Sequence, residues 1–250
     1  MSRRAEPPDA HTPLYSLEPG GFVGPDGSLA LDDTGTFVWV PPGLRSWDPV
    51  GAFIKRGMDL VLGSLFLLLC SPVLLAAMLA VKLTSPGPAL FVQRRIGYRG
   101  RKFRMLKLRT MRHGAEHFEE ELARRQQRAG RVFLKLADDP RVTPLGRFLR
   151  RASIDELPQL WNVLRGDMSL VGPRPLLLTD FRKFPKREQM RRFAMKPGIT
   201  GLWQVSGRSG VSDAERIRLD LEYVDRWTPG LDVAILARTI PVVLSTKGAS

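Results

Sequence analysis

Between Leu60 and Val81 the chain runs 22 residues without a charge, mostly Leu, Val and Ala, with Ser71-Pro72 at its middle. As a helix this run would be about 33 Å long, enough to cross the hydrocarbon core of a bilayer. A single crossing is the plain reading of such hydropathy. Two features oppose it. Proline in mid-helix removes a backbone hydrogen bond and forces a kink, and the Ser71 hydroxyl would re-satisfy the freed group inside an apolar layer. Basic residues also flank both ends, Lys55 and Arg56 before and Lys82, Arg94 and Arg95 after, which favours the cytosolic side for both. A segment that enters, breaks at Ser71-Pro72 and returns satisfies both constraints. The run lies too far from Met1 for an ordinary cleaved signal peptide.

The net charge of +14 is unevenly spread. Residues 1–56 carry five basic and seven acidic residues, so the remainder carries +16. Such a surface suits anionic lipid, phosphate-bearing small molecules or nucleic acid. The lone cysteine, Cys70, excludes an internal disulfide and fits a reduced, cytosol-facing body. Residues 1–50 hold eight Pro and six Gly and read as a mostly disordered arm, with at best a short strand at Thr36–Val40.

After the apolar run, Ala89–Gln93 reads as a short strand. Residues 93–112 then carry nine positive charges and no acid. Phe103–Met111 alternates apolar and basic residues, as a half-buried strand does. Ala115–Ala129 reads as a surface helix. The spacing of His113, Glu116 and His117 fits a zinc pattern, but a glycine inside it and the charged surroundings make accident the better account. Arg182, Lys183, Lys186, Arg187, Arg191, Arg192 and Lys196 form a second basic cluster, expected against anionic headgroups. Pro197–Arg208 is rich in turn residues. Ser212–Val224 reads as a helix, and Leu231–Leu244 as a core or membrane-surface helix too short to span.

Chemistry concentrates in residues 153–175. Ser153 and Glu156 have the spacing of a helix N-terminal capping box, Pro158 suits a first turn, and Gly166 suits a stop. That would put Asp155 and Glu156 among free backbone N–H groups at the positive end of a helix, and keep both ionised. Phosphoryl transfer asks for positioned cations, a metal and an in-line nucleophile. Asp155 is the candidate nucleophile, since a carboxylate forms an acyl phosphate. Glu156 is the candidate Mg²⁺ ligand. Arg174, between two prolines, would present its guanidinium to phosphate, with Arg208 facing it and Arg150 orienting the acids or binding a diphosphate.

Three blocks, 149–160 (LRRASIDELPQL), 166–175 (GDMSLVGPRP) and 197–208 (PGITGLWQVSGR), resemble the bacterial monotopic phosphoglycosyl transferases, or undecaprenyl-phosphate sugar phosphotransferases. The resemblance runs from about Lys55 to Thr246. It extends to a Lys-x-Arg-Thr-Met block, where Lys107 and Arg109 become candidates for holding phosphate. Ile154 stands where the family usually has Leu, and Trp203 where many members have Ala. The 202–208 and 219–224 strings look most like the exopolysaccharide-initiating branches, which often use glucose or galactose. Asp220 joins as a further candidate acid.

The resemblance implies attack by Asp155 on the β-phosphorus of a UDP-sugar, release of UMP, and capture of the sugar-phosphate by a polyprenyl phosphate. It implies Mg²⁺ and contact with anionic lipid, but no nucleic-acid partner. The body would sit on the cytosolic face of the bacterial inner membrane, anchored monotopically by the re-entrant helix. The expected architecture is α+β, mainly helical with a few short strands: a flexible arm over 1–54, a re-entrant helix over 55–84 and a catalytic domain over 85–250. The competing readings are a non-catalytic basic membrane adaptor and a membrane-bound nucleotide-sugar hydrolase. Sugar identity, polyprenol length and oligomeric state stay open.

Overall fold

A computed structural model describes residues 30–31, 37–38, 49–112, 114–115, 139, 141–177, 187–207 and 212–244. Two short paired strands, β1 (Ala30–Leu31) and β2 (Phe37–Val38), come first. The long helix α1 (Pro49–Thr84) and the antiparallel hairpin of β3 (Leu90–Ile96) and β4 (Lys102–Leu108) follow. Then come α2 (Pro144–Arg151), α3 (Gln159–Arg165) and β5 (Ser169–Val171). The last elements are β6 (Gly198–Thr200), α4 (Leu202–Val205), α5 (Asp213–Arg226) and α6 (Pro229–Leu244). The described residues are thus mainly helical, with three small two-stranded sheets. Of the strand expected at 36–40, the described residues Phe37–Val38 form β2, and the helices expected at 212–224 and 231–244 are α5 and α6. The segment at 197–208, read as rich in turn residues, contains β6 and α4. The expected helix at 115–129 and the His113/His117 pattern lie outside the described residues.

α1 departs from expectation in two ways. It begins at Pro49, inside the segment read as arm, and it continues through Ser71-Pro72 as one 36-residue helix instead of breaking there. The physical reason is local repair. Pro72 has no N–H for the Leu68 carbonyl, and the Ser71 hydroxyl donates to that carbonyl at 2.8 Å. The middle of the helix, including Leu65, Leu68, Leu69 and Leu75, is exposed. Both ends are not. Lys55, Asp59 and Gly63 are buried near the start, and Ala77 and Val81 near the end. Gly63 lies close under Leu164 and Val163, while Val81 packs with Leu108 and Leu149 in a small core of its own. The main core gathers Met105, Leu160, Val163, Met168, Leu170, Met195, Tyr223 and Ile235 from the hairpin, α3, β5, α5 and α6.

A buried polar knot fastens α1 to this core. Lys55 Nζ reaches Asp232 Oδ2 at 2.5 Å, the Val171 carbonyl at 2.9 Å and Tyr223 OH at 3.1 Å. Tyr223 OH donates to Asp232 Oδ1 at 2.6 Å. One turn along α1, Asp59 Oδ1 accepts from Ser169 Oγ and the Leu170 N–H, both at 2.9 Å. A lysine head that is 4% exposed is tolerable only because charge and hydrogen bonds surround it.

β5 and β6 are parallel, in register Ser169↔Gly198 and Val171↔Thr200. Their approach requires glycine. A Cβ on Gly198 would stand 2.1 Å from Gly172 N, and one on Gly172 would stand 2.3 Å from the Lys196 carbonyl. This contact sets the position of the 172–175 loop.

Lys55→Met should lower stability by about 3–5 kcal/mol, because it strands the buried Asp232 carboxylate. Adding Asp232→Asn to that variant should recover part of the loss. Thermal melting of detergent-solubilised protein measures both, and an unchanged melting temperature for Lys55→Met would contradict the buried knot.

Candidate active site

α2 is capped at its start by Thr143, whose Oγ1 accepts from Gly146 N at 2.9 Å, and it ends at Arg151. Ser153 then takes a left-handed conformation (φ 57°), unusual for a residue with a side chain, and turns the chain sharply into a 3₁₀ turn at Ile154–Glu156. The capping box expected from Ser153 and Glu156 does not form. The Ser153 side chain makes no capping bond, and its backbone carbonyl accepts from Glu156 N at 3.2 Å. Left-handed backbone at Ser153 is incompatible with the extended geometry of a cap. α3 begins only at Gln159, behind Pro158, and stops at Gly166 in the left-handed conformation as expected. The acids therefore sit on a separate turn between two helices.

Asp155 is 7% exposed. Burial, with a smaller push from Glu156, raises its carboxyl to about 6 against the opposing charges of Lys107, Arg150 and Arg174. This corrects the expectation of an acid held firmly ionised by a helix dipole. Desolvation outweighs the local cations. Glu156 Oε1 accepts from Lys107 Nζ at 2.9 Å and lies 3.6 Å from Arg174 Nη2. Lys107 stands 3.9 Å from Asp155 Oδ2. Asp155, Glu156, Lys107 and Arg174 thus form one cluster. It borders a shallow, open cleft lined by Arg95, Met105, Lys107, Glu156, Gln159, Arg174, Pro175 and Gly198.

The other expected residues fall at different distances from this cluster. Arg150 donates from Nε to Thr110 Oγ1 at 2.9 Å, and its charge is felt by Asp155. Arg109 is turned toward the end of α1. Its Nη2 donates to Ser85 O and Ser85 Oγ, each at 2.8 Å, and its buried Nε and Nη1 meet no partner among the described residues. Asp220 is buried beneath the 172–175 loop. It pairs with Arg192 at 2.5 Å and accepts the Arg174 backbone N–H, while Arg192 donates to the Arg174 carbonyl at 2.8 Å. Burial raises Asp220 to about 6, with Arg192 opposing. Asp220 therefore holds the backbone that carries Arg174. Arg192, expected on lipid headgroups, faces inward instead, and Arg191 pairs with Asp225 at 2.6 Å. Arg208, Arg182, Lys183 and Lys186 lie outside the described residues.

Reading the motifs missed two contributors. Arg95 lines the cleft from β3, and its only signal was membership in a basic run. Trp203, noted only as a departure, has its ring centroid 5.9 Å from the Arg174 guanidinium and 5.1 Å from that of Arg216. It supports Arg174 by cation–π attraction.

Among the described residues no cluster of three His, Cys, Asp or Glu exists. Mg²⁺ asks for less, because it is commonly held by one or two carboxylates together with substrate phosphates and water. Glu156, with Asp155 beside it, fits that donor set.

Residues 50–246 match the bacterial sugar transferase family profile. The chain is 40% identical over 214 residues to the exopolysaccharide production protein ExoY of Rhizobium meliloti, covering 84% of this chain and 94% of ExoY. It is 45% identical over 205 residues to the UDP-glucose:undecaprenyl-phosphate glucose-1-phosphate transferase of Caulobacter vibrioides, covering 78% of this chain and 71% of that protein. It is 44% identical over 196 residues to the galactosyl transferase CpsE of Streptococcus agalactiae, covering 78% of this chain but 43% of CpsE. The chain thus spans nearly the whole of one relative and less than half of another.

The raised Asp155 carboxyl has a thermodynamic consequence. Unfolded, it titrates near 3.8; folded, near 6. Between these values the native protein keeps a proton that the unfolded chain has released, so stability falls as pH rises through the window. Above about 6 the ionised carboxylate costs the fold roughly 3 kcal/mol. Asp155→Asn should therefore melt at a higher temperature than the parent at pH 8, with the gain fading toward pH 4. Equal melting temperatures at pH 8 would contradict a desolvated Asp155.

Proposed function

Because this chain belongs to the bacterial sugar transferase family, we propose that it moves a sugar-1-phosphate from a UDP-sugar to a polyprenyl phosphate and releases UMP. The observation that carries this reading is the buried Asp155 beside a cleft where Lys107 and Arg174 converge on Glu156. The Asp155 carboxylate attacks the β-phosphorus of the donor. The bond to the bridging oxygen breaks, and UMP departs with the electron pair. A phosphate oxygen of the polyprenyl phosphate then attacks the aspartyl-phosphosugar and restores the carboxylate. Lys107 and Arg174 bind and orient the phosphates, and Asp220 with Arg192 keeps the Arg174 backbone in place. Mg²⁺ would be held by Glu156 and would neutralise phosphate charge when bound.

Relatives named for glucose-1-phosphate and galactosyl transfer, and for exopolysaccharide production, support UDP-glucose or UDP-galactose as donor and a role at the start of exopolysaccharide assembly. α1 would anchor the enzyme in one leaflet of the bacterial inner membrane. Its exposed apolar middle suits lipid, and both of its ends pack on the same body, an arrangement that favours a helix bent at Pro72, re-entering on one side, over a straight one carrying its ends to opposite sides. The body would then lie at the cytosolic surface, where a soluble donor meets a lipid acceptor.

Detergent-purified protein with Mg²⁺ should turn over UDP-glucose or UDP-galactose to UMP only when undecaprenyl phosphate is present, and without the lipid UMP release should stop at about one equivalent per enzyme. Asp155→Asn should lose at least about a thousandfold in rate. Turnover should rise with pH through about 6 as Asp155 ionises. Multiple turnovers without the lipid would indicate a nucleotide-sugar hydrolase instead, and inactivity of folded protein on both donors would leave a basic membrane adaptor.

A further inference from the structure

Two side-chain amides stand three residues apart on one face of α3, Gln159 at its start and Asn162 a turn behind. Both residues are buried, Gln159 at 3% exposed and Asn162 at 0%. Their surroundings differ. Asn162 Oδ1 accepts from the Leu106 N–H at 2.9 Å, and its Nδ2 donates to the Arg104 carbonyl at 2.7 Å and to Asp167 Oδ2 at 3.2 Å. Those bonds dock α3 on β4. Gln159 lies nearer the acids and borders the cleft together with Lys107, the residue after Leu106, and with Glu156 and Arg174. Its amide meets no hydrogen-bond partner among the described residues.

An apolar side chain of similar length would fill this buried place without the desolvation penalty that an unmatched amide carries. The fold therefore makes no use of the Gln159 amide, and what the amide faces is the cleft. Lys107 stands there 2.9 Å from Glu156 and 3.9 Å from Asp155, and Arg174 stands 3.6 Å from Glu156. A group drawn between such cations is a phosphate, whose ionised oxygens only accept hydrogen bonds. An amide N–H₂ is a neutral donor. It adds a bond to such an oxygen without adding a charge that the empty site would have to balance. One oxygen is all the contact requires, so a shallow cleft suffices.

Resting on the transferase reading above, we propose that Gln159 is a further substrate-binding residue, whose amide donates to a non-bridging oxygen of the phosphoryl group that passes through Asp155. Gln159 follows Asp155 by four residues and Glu156 by three, on one short stretch of backbone that joins the 3₁₀ turn to α3. Amide and nucleophile are thereby held in a fixed relation. When an Asp155 oxygen bonds to the β-phosphorus, the bridging oxygen leaves on UMP with the electron pair. The non-bridging oxygens remain on the transferred group, and the amide keeps its hold on one of them. The same contact serves the second step, in which a polyprenyl phosphate oxygen bonds to that phosphorus and the Asp155 carboxylate leaves. Gln159 moves no proton in either step.

The test uses full-length protein in detergent with the variants Gln159→Met, which keeps the length of the side chain without its amide, Gln159→Glu and Asn162→Leu. Gln159→Met should melt no lower than the parent, because no bond within the fold is lost, whereas Asn162→Leu should melt lower. With UDP-glucose or UDP-galactose and no lipid, Gln159→Met should release its first equivalent of UMP about tenfold more slowly, or slower still. Transfer from the loaded enzyme to undecaprenyl phosphate should slow by a similar factor, since the same phosphoryl group is held. Inhibition by UMP, which lacks that group, should match the parent. Gln159→Glu, which brings a negative charge in place of a donor, should lose more than Gln159→Met. A parent-like rate of UMP release in folded Gln159→Met would overturn the assignment. So would slowing of the lipid step alone, a loss of UMP affinity, or a melting temperature as low as that of Asn162→Leu. A parent protein that releases no UMP from either donor would overturn the transferase reading itself.

Discussion

A buried lysine near the start of the apolar helix is the contact on which the rest of the structure depends. Lys55 brings a positive charge into the core, where the Asp232 carboxylate, the Tyr223 hydroxyl and the Val171 carbonyl make it tolerable. Those partners come from α6, α5 and β5, so a single ammonium ties the long apolar helix to three elements of the body. Such a knot is directional in a way that apolar packing is not. An apolar helix slides on an apolar surface at little cost, whereas a displaced Lys55 leaves charges of both signs buried and unpaired. Asp59, bonded to Ser169 and Leu170, repeats the same logic one turn along and fixes β5.

From β5 the constraint passes to the chemistry. Val171 is followed by the loop carrying Arg174, and the contact of Gly172 with Gly198 holds that loop against β6. Asp220 and Arg192 grip the Arg174 backbone from beneath, and Trp203 supports its guanidinium from the side. The opposite wall is the β3–β4 hairpin, whose register brings Lys107 to the acids. Asp155 thus meets its cations through several independent restraints, with no one helix terminus responsible. That arrangement explains how a carboxylate desolvated enough to be pushed up to about 6 still has three cations beside it.

Several features were legible in the residue order because their causes are local. The apolar run, the stop at Gly166, the helix α5 behind Ser212 and the alternation of 103–108 all follow from neighbours within a few positions. The Ser71 hydroxyl also bonds as the sequence suggests, but it repairs the helix at Pro72 where a break was expected. The capping box failed for a related reason. Spacing alone does not reveal that Ser153 turns left-handed to join two helices that tertiary packing has already positioned.

The sequence by itself singled out Asp155, Glu156, Lys107 and Arg174, which stand in motif blocks whose side-chain types suit phosphate, and it showed an apolar run long enough to meet a membrane. Only the tertiary structure decided their division of labour. It turned Arg109 toward the end of α1, buried Asp220 as a brace, enlisted Arg192 and Trp203, and brought Arg95 to the cleft from a basic run with no periodicity of its own. The physical reason is that burial and charge neutralisation depend on partners tens of residues apart in sequence, and it is the packing of α1, the hairpin and the β5–β6 pair that chooses them.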